Sequence, residues 1–472
     1  MADDARRRRL ALLTVAAGSF MATLNLSIVN VSLPTIRVDF AAGVPESQFV
    51  VVSYVAVVTA LLIPLGRLSD VYGRRRNYLL GFAIFALGAA ACGLAGSIWQ
   101  IVGFRAFQAV GAAMLIAAGP AVITESFPVG RGKALGIIGV VVAAGLTTGN
   151  VLGGVIDEFV GWRWVFLLNV PVGAAGILLA RSAIAPGASG RSADLPGCIL
   201  LAATVLLLVG AVSIASARLP LAAATVVLLA AFVLRERRAR APILPAGLRD
   251  RFLAAGLASV SLAFLGYAAA SFLVPFYLTD VLGASPTERG LVLVANPIAF
   301  SIVGPLAGSL HDRRGWNFLA PLGLAVAAAG FLLLSNLGPG ASLLMVAAEL
   351  ALVGVGIGLF SAPNNSALLG AVARDSLGAL SGVIATMRNL GMALGTAVSA
   401  QIFFLLAPAG FDSEPLAFVS AMHAVFVVAA VLLAAGAAAS LSRPRPAKGG
   451  APATASEPPA GESLSAGTRA GP

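Results

Sequence analysis

The side chains able to carry chemistry in this chain are few, and most stand inside long apolar runs. Arg105, Glu349 and Arg388 are charged residues at membrane depth. A central arginine costs roughly 2.5–3.5 kcal/mol on insertion scales, so each arginine is expected to face a cavity with a partner. Arg105 has a second reading, as an interfacial anchor whose head reaches water. Glu349 also has two readings, a proton carrier or the ion-pair partner of Arg388. Asn25 and Asn30 lie in TLNLSIVNVSLPTI, closed by Pro34, while Gln108 and Asn150 are further amides in apolar surroundings. An amide offers donors and acceptors and cannot titrate. His423 can titrate near neutral pH, yet a lone histidine on a peripheral helix is more often a packed polar residue. Asp39, Glu46, Asp157 and Glu158 fall at outer helix ends or loops and are expected to be solvated; Glu125 reads as an inner surface charge.

These residues do not form a catalytic set. No nucleophile, metal-ligand group or acid–base pair converges, so no enzyme and no cofactor is expected. Cys92 and Cys198 lie far apart in apolar segments and read as small core residues. Gly354, Gly356 and Gly358 form a G-x-G-x-G run inside an apolar helix, without the context of a nucleotide loop; packing is the expected role. Tyr54, Phe264, Tyr267 and Tyr277 are aromatic candidates for a pocket wall or for core packing.

The elements that position these groups follow from composition. Of 472 residues, 59% are hydrophobic and 11% are charged, a surplus of apolar surface that only a lipid bilayer can solvate. The apolar runs are continuous rather than alternating, so helices are expected and not a barrel. Fourteen spans are read, near 10–35, 48–69, 78–97, 100–123, 134–157, 164–184, 195–216, 219–234, 253–278, 288–310, 317–337, 342–363, 378–406 and 416–441. The net charge of +11 sits in short connectors such as Arg74–Arg76 and Arg235–Arg251, a topology signal and not a nucleic-acid surface. With Arg6–Arg9 in the cytoplasm, both termini are cytoplasmic. Arg131, Lys133, Arg181, Arg191, Arg313, Arg314 and Arg374 then also lie inside. The first apolar segment is too long for a signal-peptide core. The tail from Arg443 is rich in Pro, Ala, Gly and Ser and is expected to be disordered.

An internal repeat divides the chain. Gly66, Leu68, Asp70 and Gly73 match Gly308, Leu310, Asp312 and Gly315 in a G-x-L-x-D-x-x-G string after the second and tenth spans. Repeats in corresponding loops imply two related halves. Gly145, Gly149, Gly153 and Gly154 form a stripe suited to close helix approach.

At this point the chain resembles the major facilitator superfamily, in its fourteen-helix drug:proton antiporter branch. The resemblance covers about residues 10–441. It rests on Gly66–Arg76 with its second copy, on Arg105 to Ala113, on Trp162 to Gly173, and on Leu24 to Pro34. It implies an all-α membrane protein with two six-helix bundles and two inserted helices. The organisation is a basic segment 1–9, a bundle 10–184, an insertion with basic loop 185–252, a second bundle 253–441 and a tail 442–472. It further implies a monomeric inner-membrane exporter of amphipathic small molecules, such as drugs or antibiotics, working by alternating access with protons as coupling ion. Asp70, Arg74 and Asp312 would serve a cytoplasmic gate. Two positions depart from the branch pattern: Asn25 replaces its first-helix acid and Asn150 the fifth-helix proline. The resemblance puts position 25 beside Arg105, which would leave a positively biased pocket. On that reading Asn25→Asp is expected to improve export of cationic dyes. An exporter or facilitator dedicated to one metabolite is the alternative reading, and a transporter-like sensor or a membrane-embedded enzyme stands further off.

Overall fold

A computed structural model of the chain describes residues 2–127, 131–184, 194–239, 243, 250–372, 377–407 and 415–443. Arg191, Arg374, the tail from 444 and most of the 240–249 connector lie outside the described residues, as do the side chains of Arg131 and Lys133. Every regular element among the described residues is helical. The helices are α1 (Ala2–Asp39), α2 (Val44–Tyr72), α3 (Arg74–Gly93), α4 (Ile98–Ser126) and α5 (Arg131–Phe159). Next come α6 in two pieces (Arg163–Leu167 and Asn169–Ala183), α7 (Leu195–Ser213) and α8 (Arg218–Arg238). The series ends with α9 (Arg251–Phe276, extended by a π turn at Tyr277–Val281), α10 in two pieces (Pro286–Leu293 and Ala295–Arg314), α11 (Leu319–Leu334), α12 (Leu343–Gly370), α13 (Leu377–Leu406) and α14 (Pro415–Leu441). Thirteen of these are long and apolar enough to cross a membrane, and the shorter α11, packed on α12 and α14, completes an even set. Both ends of the described chain therefore lie on one face, called here the terminal face; the opposite one is the far face. Helix α1 begins earlier than the apolar run, because arginine favours helix and lets it continue through Arg6–Arg9.

The repeat is legible in the packing. Helix α1 lies on α5, and α2 and α3 lie on α4; eight helices later α9 lies on α13, and α10 and α11 lie on α12. Corresponding ends are capped alike. Ser97 caps α4 by accepting from the Gln100 amide at 3.3 Å, and Ser342 caps α12 by accepting from the Met345 amide at 3.2 Å. The terminal glycine of each loop motif has positive φ, Gly73 at 93° and Gly315 at 66°. A side chain is strained in that region, which explains why both copies end in glycine.

Helices α7 and α8 form a hairpin that leans through α7 on α2 and α13. Arg235 of α8 donates to Asp194, the N-cap of α7, at 2.7 Å. Those hydrogen bonds hold the Asp194 carboxyl below the usual carboxylate range.

Candidate functional site: a cavity between the two halves

Between the halves lies a cavity of about 200 Å³, lined by α1, α2, α4 and α5 from one side and by α9, α10, α12 and α13 from the other. Its polar side chains include Asn30, Asn150, Tyr267, Ser271, Asn296, Asn389 and Arg388, with Thr23 and Ser27 of α1, and its aromatic surface comes from Tyr54, Phe264, Tyr267 and Phe300. No carboxylate lines it among the described residues, and Arg388 is its one charged group.

Prolines shape the walls. Asn30 stands four residues before Pro34 in α1, and Ser271 four before Pro275 in α9; the two side chains meet at 2.9 Å. These are corresponding positions of corresponding helices, bonded across the boundary between halves. In α10, Pro297 has no amide hydrogen to give to the Leu293 carbonyl. The Asn150 side chain of α5 donates to that oxygen at 3.2 Å instead. Asn150 is thus a bond between halves at the break in α10, and it satisfies a buried acceptor that would otherwise lack a partner.

Above the cavity, toward the far face, the halves are locked together. Asp157 and Arg289 form an ion pair at 3.0 Å, with side chains 0% and 1% exposed. Thr35 donates to Asp157 at 2.7 Å and accepts from Arg289 at 3.1 Å, while Arg289 also donates to Thr279. Around this core, Arg37 pairs with Asp280 at 2.8 Å, and the Thr287 amide donates to Glu158 at 2.9 Å. Gly154 and Gly290 bring α5 and α10 together here: a Cβ on Gly154 would strike the Pro286 carbonyl, and one on Gly290 the Asn150 carbonyl. The other glycines of the stripe, Gly145, Gly149 and Gly153, face Thr23, Ser27 and Ile28 of α1 within the same half. All these bonds between halves lie between the cavity and the far face, so this conformation is closed on that side.

Asn25, Arg105 and Gln108 form a separate network beside the cavity. Arg105 donates to Asn25, to Gln108 at 2.9 Å and to the Val50 carbonyl at 3.3 Å, and is fully buried. Its guanidinium lies over the Tyr54 ring at 3.9 Å. Tyr54 lines the cavity and Arg105 does not. Arg105 is therefore not an interfacial anchor, and its charge is screened from the cavity by an aromatic face.

Other expectations meet a different arrangement. Glu349 and Arg388 are not brought together: Glu349 is buried in α12 outside the cavity lining, and Arg388 projects into the cavity from α13. His423 bonds the Leu337 carbonyl through Nε2 at 2.7 Å, and Tyr277 bonds the Gly338 carbonyl at 2.6 Å. Both are packing contacts. Asp70 bonds Arg74 at 3.1 Å, Arg74 reaches the Ala121 carbonyl at 3.1 Å and Glu125, and Asp312 accepts from Ser366 at 2.7 Å. Each of these bonds stays within one half: Asp70–Arg74 joins the end of α2 to the start of α3, Arg74 joins that start to the end of α4, and Ser366–Asp312 joins α12 to the end of α10. Gly66 is in ordinary contact with Ala117 of α4. Within α12, Gly354 packs on α10, Gly356 on α11 and Gly358 on α10. Asp157, expected to be solvated, is instead the buried centre of the far-face lock, with Arg289 of α10 as its partner. Glu158, Asp39 and Glu125 are exposed, as expected, and Asp39 accepts from Trp162 and Arg163, both at 3.0 Å.

A family model described as Major Facilitator Superfamily matches residues 15–396. The chain belongs to that superfamily. Among its relatives in the superfamily is the riboflavin transporter RibZ of Clostridioides difficile, 33% identical over 434 residues, covering 90% of this chain and 95% of that protein. The multidrug resistance protein Stp of Mycobacterium tuberculosis is 33% identical over 409 residues, covering 84% and 76%. The fold is shared with crystalline tetrameric PepTSo2, at a TM-score of 0.68 and 18% identity over 92% of this chain and 97% of that one. Proteins of the superfamily act on small molecules within a membrane, and the cavity lies between the two halves.

Proposed function

We propose that this protein exports amphipathic small molecules, drugs or antibiotics among them, from a bacterial cell by alternating access driven by proton antiport. The observation that carries the reading is the central cavity closed on the far face by bonds between halves whose core, Asp157–Arg289, contains a titratable carboxylate. The names of relatives, riboflavin transporter and multidrug resistance protein, support a substrate with a flat or amphipathic body. The charge asymmetry of the connectors supports an inner-membrane orientation with cytoplasmic termini, which makes the terminal face the loading side.

On this reading the protein loads substrate from the cytoplasm with Asp157 ionised and the far-face lock shut. A proton reaching Asp157 from outside neutralises it and removes the charge that holds Arg289, so the lock opens and the substrate leaves. For the cycle to close, that proton leaves Asp157 toward the cytoplasmic side before Asp157 pairs with Arg289 again, one proton entering for each such turn. Asn25 has no proton to give, and the titrating role falls to Asp157 in place of a first-helix acid. Asp70, Arg74 and Asp312 stiffen the ends of each half that must meet when the cytoplasmic side closes. The working unit on this reading is a monomer. The test is transport of a dye panel into inverted membrane vesicles from cells expressing the protein. Accumulation that collapses when an uncoupler dissipates the proton gradient is expected. Accumulation indifferent to the uncoupler overturns proton antiport and leaves a facilitator.

A further inference from the structure

The cavity contains one unanswered charge. Arg388 of α13 lines it, is exposed to its interior, and makes no hydrogen bond or ion pair with any described residue. The other polar groups of the lining are amides and hydroxyls, which can accept from or donate to a ligand but cannot neutralise a guanidinium. The second membrane-embedded arginine of the N-terminal half, Arg105, is withdrawn behind Tyr54 and contributes no competing site. A cationic ligand in this space would meet a like charge with no acid to receive it. An anionic ligand would complete a charge-assisted bond in a setting of low dielectric.

We infer that Arg388 is the anion anchor of the cavity, and that the carried molecules are amphipathic compounds bearing one acidic group. The carboxylate or ionised enol would sit on the Arg388 guanidinium and the ring system against Tyr54, Phe264, Tyr267 and Phe300. The amides of Asn30 and Asn389 would read the remaining polar edge. This assignment rests on the cavity being the transport site, and it names the class of substrate that site takes.

The test is equilibrium binding to purified protein in nanodiscs, without any gradient, using three dansyl probes that differ in charge. Dansylglycine is an anion, dansylamide is neutral and dansylcadaverine is a cation. The wild type is expected to bind dansylglycine about tenfold or more tighter than dansylcadaverine, the scale of one charge-assisted bond. Arg388→Gln should lose that preference by weakening the anion about tenfold to hundredfold, with dansylamide held within about twofold, and Arg388→Lys should keep most of it. Equal affinities for anion and cation in the wild type, or a preference unchanged in Arg388→Gln, overturn the assignment. A second measurement does not depend on the probes. Because Arg388 holds nothing in the fold, Arg388→Gln should melt no lower than the wild type; a fall of several degrees would make the arginine structural and also overturn the assignment. Since binding is read without transport, its failure leaves the exporter reading standing. Charge-selective binding without uncoupler-sensitive transport would sink the exporter reading alone.

Discussion

Replacing Asp157 by asparagine should open the far face. The substitution keeps the shape of the side chain and an acceptor for Thr35 and Arg289, but removes the charge that compensates a buried guanidinium. Breaking a buried ion pair by removing one partner typically costs about 3–5 kcal/mol, because the surviving charge is left uncompensated. Taking about 3 kcal/mol, with about 1.4 kcal/mol for each factor of ten, the closed-to-open ratio falls by about a hundredfold. A lock closed about 99% of the time would then be closed only about half of the time. Spin labels at Val38 on α1 and Pro339 before α12, both exposed and on opposite halves, would report the separation. The native Cys92 and Cys198 are buried and leave those sites to the labels. Asp157→Asn should shift the distance distribution toward the longer population at all pH values. The wild type should make the same shift only as acid protonates Asp157, since the lock is intact while the carboxylate is ionised and is lost as pH falls. A wild-type distribution insensitive to pH, or an Asp157→Asn distribution that still responds to it, would refute the assignment.

Other substitutions probe the same frame. Gly154→Ala puts a methyl group against the Pro286 carbonyl, so it should hold the far face open and abolish transport, with the same label pair reading the longer distance. Asn150→Leu leaves the Leu293 carbonyl without its donor; a loss of about 1–3 kcal/mol is expected, read as a lower melting temperature in detergent, and no loss would mean water or another group serves as well. Asn25→Asp gives Arg105 a counter-charge behind Tyr54, so it should raise the melting temperature and leave cationic-dye export unchanged. Improved cationic-dye export by Asn25→Asp would show that the Arg105 charge reaches the cavity after all.

The fold was legible because bilayer thickness, apolar run length and connector charge each constrain it from local sequence. The repeated loop string could be read for the same reason, since Gly73 and Gly315 meet a backbone demand that few other residues can meet. The site was legible only in part. Asn30, Asn150 and Arg388 stand out because polar groups inside apolar runs need an explanation, and all three line the cavity. Asp157 and Arg289 gave no such signal. Both lie at helix ends, where charge is ordinarily solvated, and only the approach of α5 to α10 through Gly154 and Gly290 buries them. The glycines were visible in the sequence, but the helix facing each of them was not. Arg105 shows the converse case: its depth could be read, whereas its screening by Tyr54 depends on how α2 and α4 pack.

The most direct test of the account compares wild type and Asp157→Asn in liposomes enclosing a pH-sensitive dye, with proton movement and substrate exchange recorded in the same preparation. The wild type should move protons only when substrate is present. Asp157→Asn should retain substrate-for-substrate exchange and lose the proton signal. Undiminished substrate-dependent proton movement through Asp157→Asn would contradict the account, because the coupling carboxylate would then lie elsewhere.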